Sequence, residues 1–380
     1  MPLLPVARFL AALISWALLG GALYLLWTWF QGVNVVDDDG LHTVRETWRG
    51  GLGLTLLGWS VLGRYPALLL LGRRDVDPSA AVRADGERIK GAAGSDLYVE
   101  THGEGATLLL THGWGLDSTV WGYARRRLSG RFRVVVWDLP GLGRSRLGRN
   151  RVDIRDMADE LRGLVLAAPG PVVLVGHSIG GMILQTLARD HPAVVNQRVS
   201  GMVLLNTTYT NPLRTMILSP LATAARPLLA LGARLTIALE PLAWLGAWQG
   251  YLSGSAHAAN RLGFGRHVTR SQLDHVSLLT ARNRPGVQAR GNLAMFDWDS
   301  GDALSRVTCP VLIISDDSDI ITLPEAGARL AALAPAARLA VVEGGNHLGF
   351  LALAERYNTL IAEFAEAVTA AEPDPYVAPT

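Results

Sequence analysis

The chain predicts an α/β fold, a mostly parallel sheet with flanking helices, carrying a helical insertion and preceded by apolar helices. Three observations predict it. Short Val/Leu-rich runs alternate with stretches of helical periodicity, which favours parallel strands joined by helices. One run, Val172 to Val175, leads directly into Gly176-His177-Ser178-Ile179-Gly180 and then a helix-compatible stretch. The first 72 residues hold much of the apolar excess behind the positive mean hydropathy.

Residues 1–74 are expected to form membrane-anchoring segments. From Phe9 to Phe30 there is no charged residue, so about 20 apolar residues are available to cross a bilayer, with Trp27 and Trp29 suited to its interface. The run is long for the apolar core of a signal peptide, and no small-x-small cleavage site follows. A second apolar segment, 51–71, is interrupted by Arg64 and Pro66 and is expected either to span or to lie at the interface. Arg8 precedes the first segment, Asp37, Asp38 and Asp39 follow it, and Arg73 and Arg74 close the second. If both cross, the positive-inside bias puts the amino terminus and the domain that follows in the cytoplasm; if only the first crosses, that domain is outside.

Residues 75–94 read as a polar linker, and 95–206 with 303–370 as one α/β core. Strands are expected at Thr107–Leu110, Arg133–Trp137, Val172–Val175, Gly201–Leu205, Val311–Ile314 and Arg338–Val342. An amphipathic helix is expected over 152–168, where Ile154, Met157, Leu161, Leu164 and Val165 recur at helical spacing. A formal charge of +2, with Lys90 as the only lysine and no long basic run, gives no support for a nucleic-acid partner. The single cysteine, Cys309, excludes an internal disulfide framework and reads as a buried bystander. The tail, 371–380, reads as a flexible end.

Gly-x-Ser-x-Gly alone is a weak signal, expected by chance in a chain of this composition with a probability of about 0.2. Its company makes it informative. His112-Gly113-Trp114-Gly115, Asp138-Leu139-Pro140-Gly141-Leu142-Gly143-Arg144-Ser145, Gly176-His177-Ser178-Ile179-Gly180-Gly181 and Gly345-Asn346-His347 occur in this order and resemble the α/β-hydrolase superfamily. The resemblance covers residues 95–370. It implies the fold and a serine hydrolase, similar to membrane-anchored monoacylglycerol lipases.

A serine hydroxyl needs a neighbouring imidazole to take its proton. Ser178 is the expected nucleophile, on the sharp strand-to-helix bend, and His347 the expected base, on a glycine-rich loop after the last strand. The acid is expected on the loop after Val311–Ile314, where Ser315-Asp316-Asp317-Ser318-Asp319 offers three carboxylates. The family pattern Gly-Asp-x-Asp-x-x-x-Pro aligns Asp319 with the acid, with Asp317 as the alternative; Asp316 stands where glycine is usual and Leu323 where proline is usual. The backbone N–H groups of Trp114 and Ile179 are expected to receive the oxyanion. His112 reads as a brace, His177 as packing, and the Asp138–Ser145 turn as scaffold. No metal or nucleotide motif occurs, so neither a metal nor another cofactor is expected.

Residues 207–302 separate consecutive strands and are expected to form a helical cap over the site. Met216 to Leu239 is strongly apolar, which suits either an ordinary helical core or a greasy lid that touches membrane or lines an acyl pocket. The expected function is membrane-associated hydrolysis of carboxylic esters, favouring lipophilic ones, with ester substrate and bilayer as partners and the oligomeric state left open. Thioesterase, perhydrolase, epimerising and acyltransferase chemistries share this triad, and a non-catalytic binding protein would be expected to lose Ser178 or His347. Epoxide and haloalkane hydrolysis are disfavoured by serine where those relatives carry aspartate.

Overall fold

A computed structural model describes residues 3–38, 40–148 and 151–370 of the protein; the tail expectation for 371–380 and the third acid of Asp37-Asp38-Asp39 lie outside them. Helix α1 (Leu3–Gln31) leads into a hairpin of β1 (Val33–Asp37) and β2 (Gly40–Val44), and α2 (Thr47–Leu62) returns along α1. Small residues allow the close approach. A Cβ on Gly50 would lie 2.8 Å from the Trp29 ring, and one on Gly53 equally close to Leu26. The apolar run 51–71 is not one rod: α3 (Arg64–Leu71) departs from α2 with a bend of 67°. Within α1, Val6–Gln31 is long and apolar enough to cross a membrane.

The core is an eight-stranded sheet. Its strands are β3 (Glu87–Lys90), β4 (Asp96–His102), β5 (Thr107–Thr111), β6 (Arg133–Trp137), β7 (Val172–His177), β8 (Val199–Leu205), β9 (Val311–Asp316) and β10 (Ala337–Val342). They lie in the order β10-β9-β8-β7-β5-β6-β4-β3; β4 runs antiparallel to both its neighbours, β3 and β6, and the other neighbours are parallel. The linker expectation for 75–94 is corrected here, because β3 lies within it. Its side chains are mostly exposed, so an edge strand held by backbone pairing left no apolar pattern to read.

Alternate residues of the central strands feed opposite faces, as the two-residue strand period requires. Leu109, Leu174, Leu204 and Ile313 enter one core layer, and Leu108, Leu110, Val175, Leu205 and Ile314 the other. The helices α4 (Gly122–Leu128), α5 (Ile154–Ala167), α6 (Ile179–Asp190) and α7 (Pro192–Arg198) lie between strands. Asp153 caps α5 by accepting from the Arg155 N–H, and Leu161, Leu164 and Val165 bury its apolar face.

Between β8 and β9 the chain forms α8 (Ser219–Ala224), α9 (Arg226–Ala238), α10 (Glu240–Ser253), α11 (Ser255–Arg261), α12 (Arg270–Arg282) and α13 (Pro285–Phe296). No residue of α9 is buried, and Leu228, Leu231 and Leu235 face outward beside Leu242, Trp244 and Leu245 of α10. The amino-terminal half of α1 packs on this insertion. The Ser15 hydroxyl bonds to those of Ser253 (2.7 Å) and Ser255 (2.6 Å), and Arg8 Nε donates to Asn260 Oδ1 at 2.8 Å. After β9 come α14 (Pro324–Leu333), β10, α15 (Gly349–Ala352) and α16 (Ala354–Ala370).

Candidate active site

Ser178 stands between β7 and α6 at φ 57° and ψ −119°, a strained conformation for a residue with a Cβ. Close packing enforces the bend. A Cβ on Gly176 would sit 2.6 Å from the Gly180 carbonyl carbon, and one on Gly180 would sit 2.4 Å from the Thr111 carbonyl oxygen. Ile179 opens α6, so its N–H is among those with no intrahelical acceptor.

The carboxylate that meets His347 is that of Asp319. Its Oδ2 lies 2.9 Å from His347 Nδ1 and also accepts from the Thr322 hydroxyl at 2.6 Å, while Oδ1 accepts the N–H groups of Ile321 (2.7 Å) and Thr322 (2.9 Å). Both residues are buried. Asp317 is exposed and turns away, accepting from the Gly344 N–H at 2.9 Å and the Ser318 hydroxyl. Leu323 occupies the position where proline is usual, and its N–H donates to the Thr215 carbonyl.

Ser178, His347, Gly113, Trp114, His177 and Arg8 line a single cavity of about 40 Å³, together with residues of α12 and α13. That is space for a few waters at most. The loop after β5 is held from both sides. His112 Nε2 accepts the Leu139 N–H at 3.0 Å, so its Nδ1–H donates to the Gly113 carbonyl at 2.8 Å, and burial pushes its pKa down. The Trp114 indole N–H donates to the Gln288 carbonyl at 2.9 Å, and its ring lies where a Cβ on Gly291 would stand. Asp138 takes the N–H groups of Ser118 and Arg144, each at 2.7 Å, and pairs with Arg83 at 2.8 Å.

Three residues contribute more than their sequence signals suggested. His177 is not mere packing: its Nε2–H donates to the His347 carbonyl at 2.8 Å, and burial holds its pKa well below the usual range. Asn206, at φ 41° at the end of β8, donates to Asp316 Oδ2 (2.9 Å) and reaches the Asn346 and His347 carbonyls, each at 3.3 Å. Asp316 fills the space under the histidine loop, where Gly345 and Gly349 have no Cβ to displace it, and accepts from the Tyr357 hydroxyl. Burial pushes its pKa up to about 7. Among the described residues no three His, Cys, Asp or Glu gather as metal ligands.

This strand order, with Ser178 on a strained strand-to-helix bend, coincides with a match of residues 108–360 to the alpha/beta hydrolase family. The chain belongs to that family. A pimeloyl-[acyl-carrier protein] methyl ester esterase from Nitrosospira multiformis is 28% identical over 282 residues, covering 71% of this chain and 98% of the relative. The esterase of the same description from Sodalis glossinidius is 41% identical over 100 residues, spanning 26% of this chain and 37% of its own. Among solved structures, a thermophilic esterase from Thermogutta terrifontis superposes with a TM-score of 0.59 at 26% identity, covering 75% of this chain and 99% of that one. An esterase from Exiguobacterium antarcticum, at 18% identity and a TM-score of 0.62 over 74% of this chain and 100% of that one, shares the fold.

Proposed function

We propose that this chain is a membrane-associated serine hydrolase of carboxylic esters, with Ser178 as nucleophile, His347 as base and Asp319 as acid. The observation that carries it is the 2.9 Å contact between Asp319 and His347 at the cavity that also holds Ser178. Asp319 keeps the proton on Nδ1, so Nε2 is the nitrogen able to take the serine proton. Ser178 Oγ attacks the ester carbonyl, and the N–H groups of Trp114 and Ile179 receive the oxyanion. The tetrahedral intermediate expels the alcohol, which takes the proton from His347. Water, activated by His347, then releases the acid from the acyl-enzyme. The esterase relatives support the same reaction class.

The membrane reading is supported by α1 and by the outward leucines of α9 and α10. Trp29 against Gly50 and Leu26 against Gly53 make α1 and α2 antiparallel, with Ser15 and Gly63 both near Ser253 at the catalytic end. If this pair enters the bilayer as a hairpin, the amino terminus and the catalytic domain share one side, and Arg8, Arg64, Arg73 and Arg74 favour the cytoplasm. Ester delivery from the bilayer would suit a lipophilic acyl or alcohol group, the reading in which the protein acts much as monoacylglycerol lipases do.

A fluorophosphonate probe should label the wild type and not Ser178→Ala, and an ester panel graded by acyl length should favour long chains. Labelling that survives in Ser178→Ala refutes the nucleophile, and a preference for short soluble esters refutes the lipid reading. Digestion of the catalytic domain by protease added outside intact cells refutes the hairpin.

A further inference from the structure

The cavity at Ser178 carries a positive charge supplied from outside the hydrolase core. Arg8 belongs to α1, yet it lines the cavity with Ser178, His347 and Trp114. Its Nε donates to Asn260 Oδ1 at 2.8 Å, which fixes the plane of the guanidinium. A Cβ on Gly115 would lie 3.9 Å from Arg8 Nη1, so the fork stands over the loop that carries the Trp114 N–H. Among the described residues, no carboxylate pairs with Arg8. Much of the remaining lining is apolar, with Leu116, Val276 and Leu348. A half-buried guanidinium without a counter-ion is costly to hold in such surroundings, and a planar fork is suited to two oxygens of one anion.

We propose that the cavity takes esters bearing an anionic group, a carboxylate or a phosphate, and that Arg8 holds that charge while Ser178 attacks the ester carbonyl. The proposal rests on the hydrolase reading above and names the substrate class for it. The anion replaces the missing counter-ion, and Asn260 keeps the fork aimed at it. The side chain of Asn292, on the same cavity, offers a further amide donor.

Two matched substrate pairs test this. The first sets a dicarboxylic acid monomethyl ester against the methyl ester of the monocarboxylic acid of equal length; the second sets lysophosphatidic acid against the corresponding monoacylglycerol. The wild type should favour the anionic member of at least one pair by about tenfold in kcat/KM, and the pair that responds identifies the anion as carboxylate or phosphate. Arg8→Met should bring that ratio near one, and Arg8→Lys, which keeps charge without the fork, should raise KM for the anionic member alone.

A wild-type ratio near one in both pairs, or a ratio that persists in Arg8→Met, overturns the proposal. So does an equal fall of both members, which would assign the cation to the oxyanion loop. Fluorophosphonate labelling of Ser178 reports an intact site in each variant; should Arg8→Met lose it, the Arg8→Lys shift decides alone, and an equal shift for both members overturns the proposal. Absence of both labelling and hydrolysis in the wild type overturns the hydrolase reading and this proposal with it. Hydrolysis without charge preference overturns only the role of Arg8.

Discussion

Asp319→Asn separates the geometry of the acid from its charge. Oδ1 accepts two backbone N–H groups, from Ile321 at 2.7 Å and Thr322 at 2.9 Å, so the amide oxygen must take that place and the NH2 group must face His347. Nδ1, 2.9 Å away, would then accept rather than donate. The imidazole proton moves to Nε2, and the ring can no longer take a proton from Ser178. Loss of the working tautomer in a comparable triad costs about 10⁴ in kcat, or about 5.5 kcal/mol at 1.36 kcal/mol per decade. Burst and steady-state kinetics on a chromogenic ester should therefore show a fall in kcat near that size, with thermal unfolding little changed because the replacement is isosteric. Asp317→Asn, at an exposed carboxylate, should stay within about threefold. A fall of less than about tenfold in Asp319→Asn, or an equal fall in Asp317→Asn, would refute the assignment of the acid.

Gly180→Ala would drive a Cβ to 2.4 Å from the Thr111 carbonyl oxygen; calorimetry should show a loss of about 3 kcal/mol, together with lost labelling of Ser178, and wild-type stability would contradict the steric account of the bend. His177→Phe removes the donor to the His347 carbonyl and should lower kcat about tenfold, whereas unchanged kcat would return His177 to packing alone. Asp316, raised to about 7 by burial, binds its proton more tightly in the folded than in the unfolded chain. Wild-type stability should therefore fall between about pH 4 and pH 7, by at most about 1.4 kcal/mol per pH unit, and Asp316→Asn should remove that slope in melting curves measured across the window.

What could be read from the sequence follows from which physical signals are local. Strands β5 to β9 announce themselves because they are buried on both faces, so they carry continuous apolar runs rather than an alternation. The bend at Ser178 is legible because glycines stand where a Cβ would meet backbone, at Gly176 and Gly180. Chain order nominates His347 and the loop that carries the acid, and the resemblance to the family pattern puts Asp319, which the fold brings to His347, ahead of Asp317; neither rejects Asp317, since three neighbouring carboxylates differ only in the direction each turn gives its side chain. The strand β3 was missed because backbone pairing leaves no side-chain pattern in Glu87–Lys90. Asp316 looked like one more acid of a polar turn; its burial under Gly345, Gly349 and Tyr357 depends on residues up to 41 positions later.

Arg8 is the clearest case of information that is absent locally. In the sequence it flanks an apolar run and weighs only in the charge balance of a membrane segment. In the fold, Ser15 against Ser253 and Ser255, and Arg8 against Asn260, dock the start of α1 on the insertion, and that docking delivers a guanidinium to the cavity of Ser178. The helix that suits a membrane and the residues that suit ester chemistry are thus parts of one structure. The outward leucines of α9 lie on the same insertion that α1 packs against. Loss of the α1 contacts would therefore withdraw the guanidinium from the cavity and free the insertion on which α1 packs, so the charge of the site and the packing around it both depend on the amino-terminal helix.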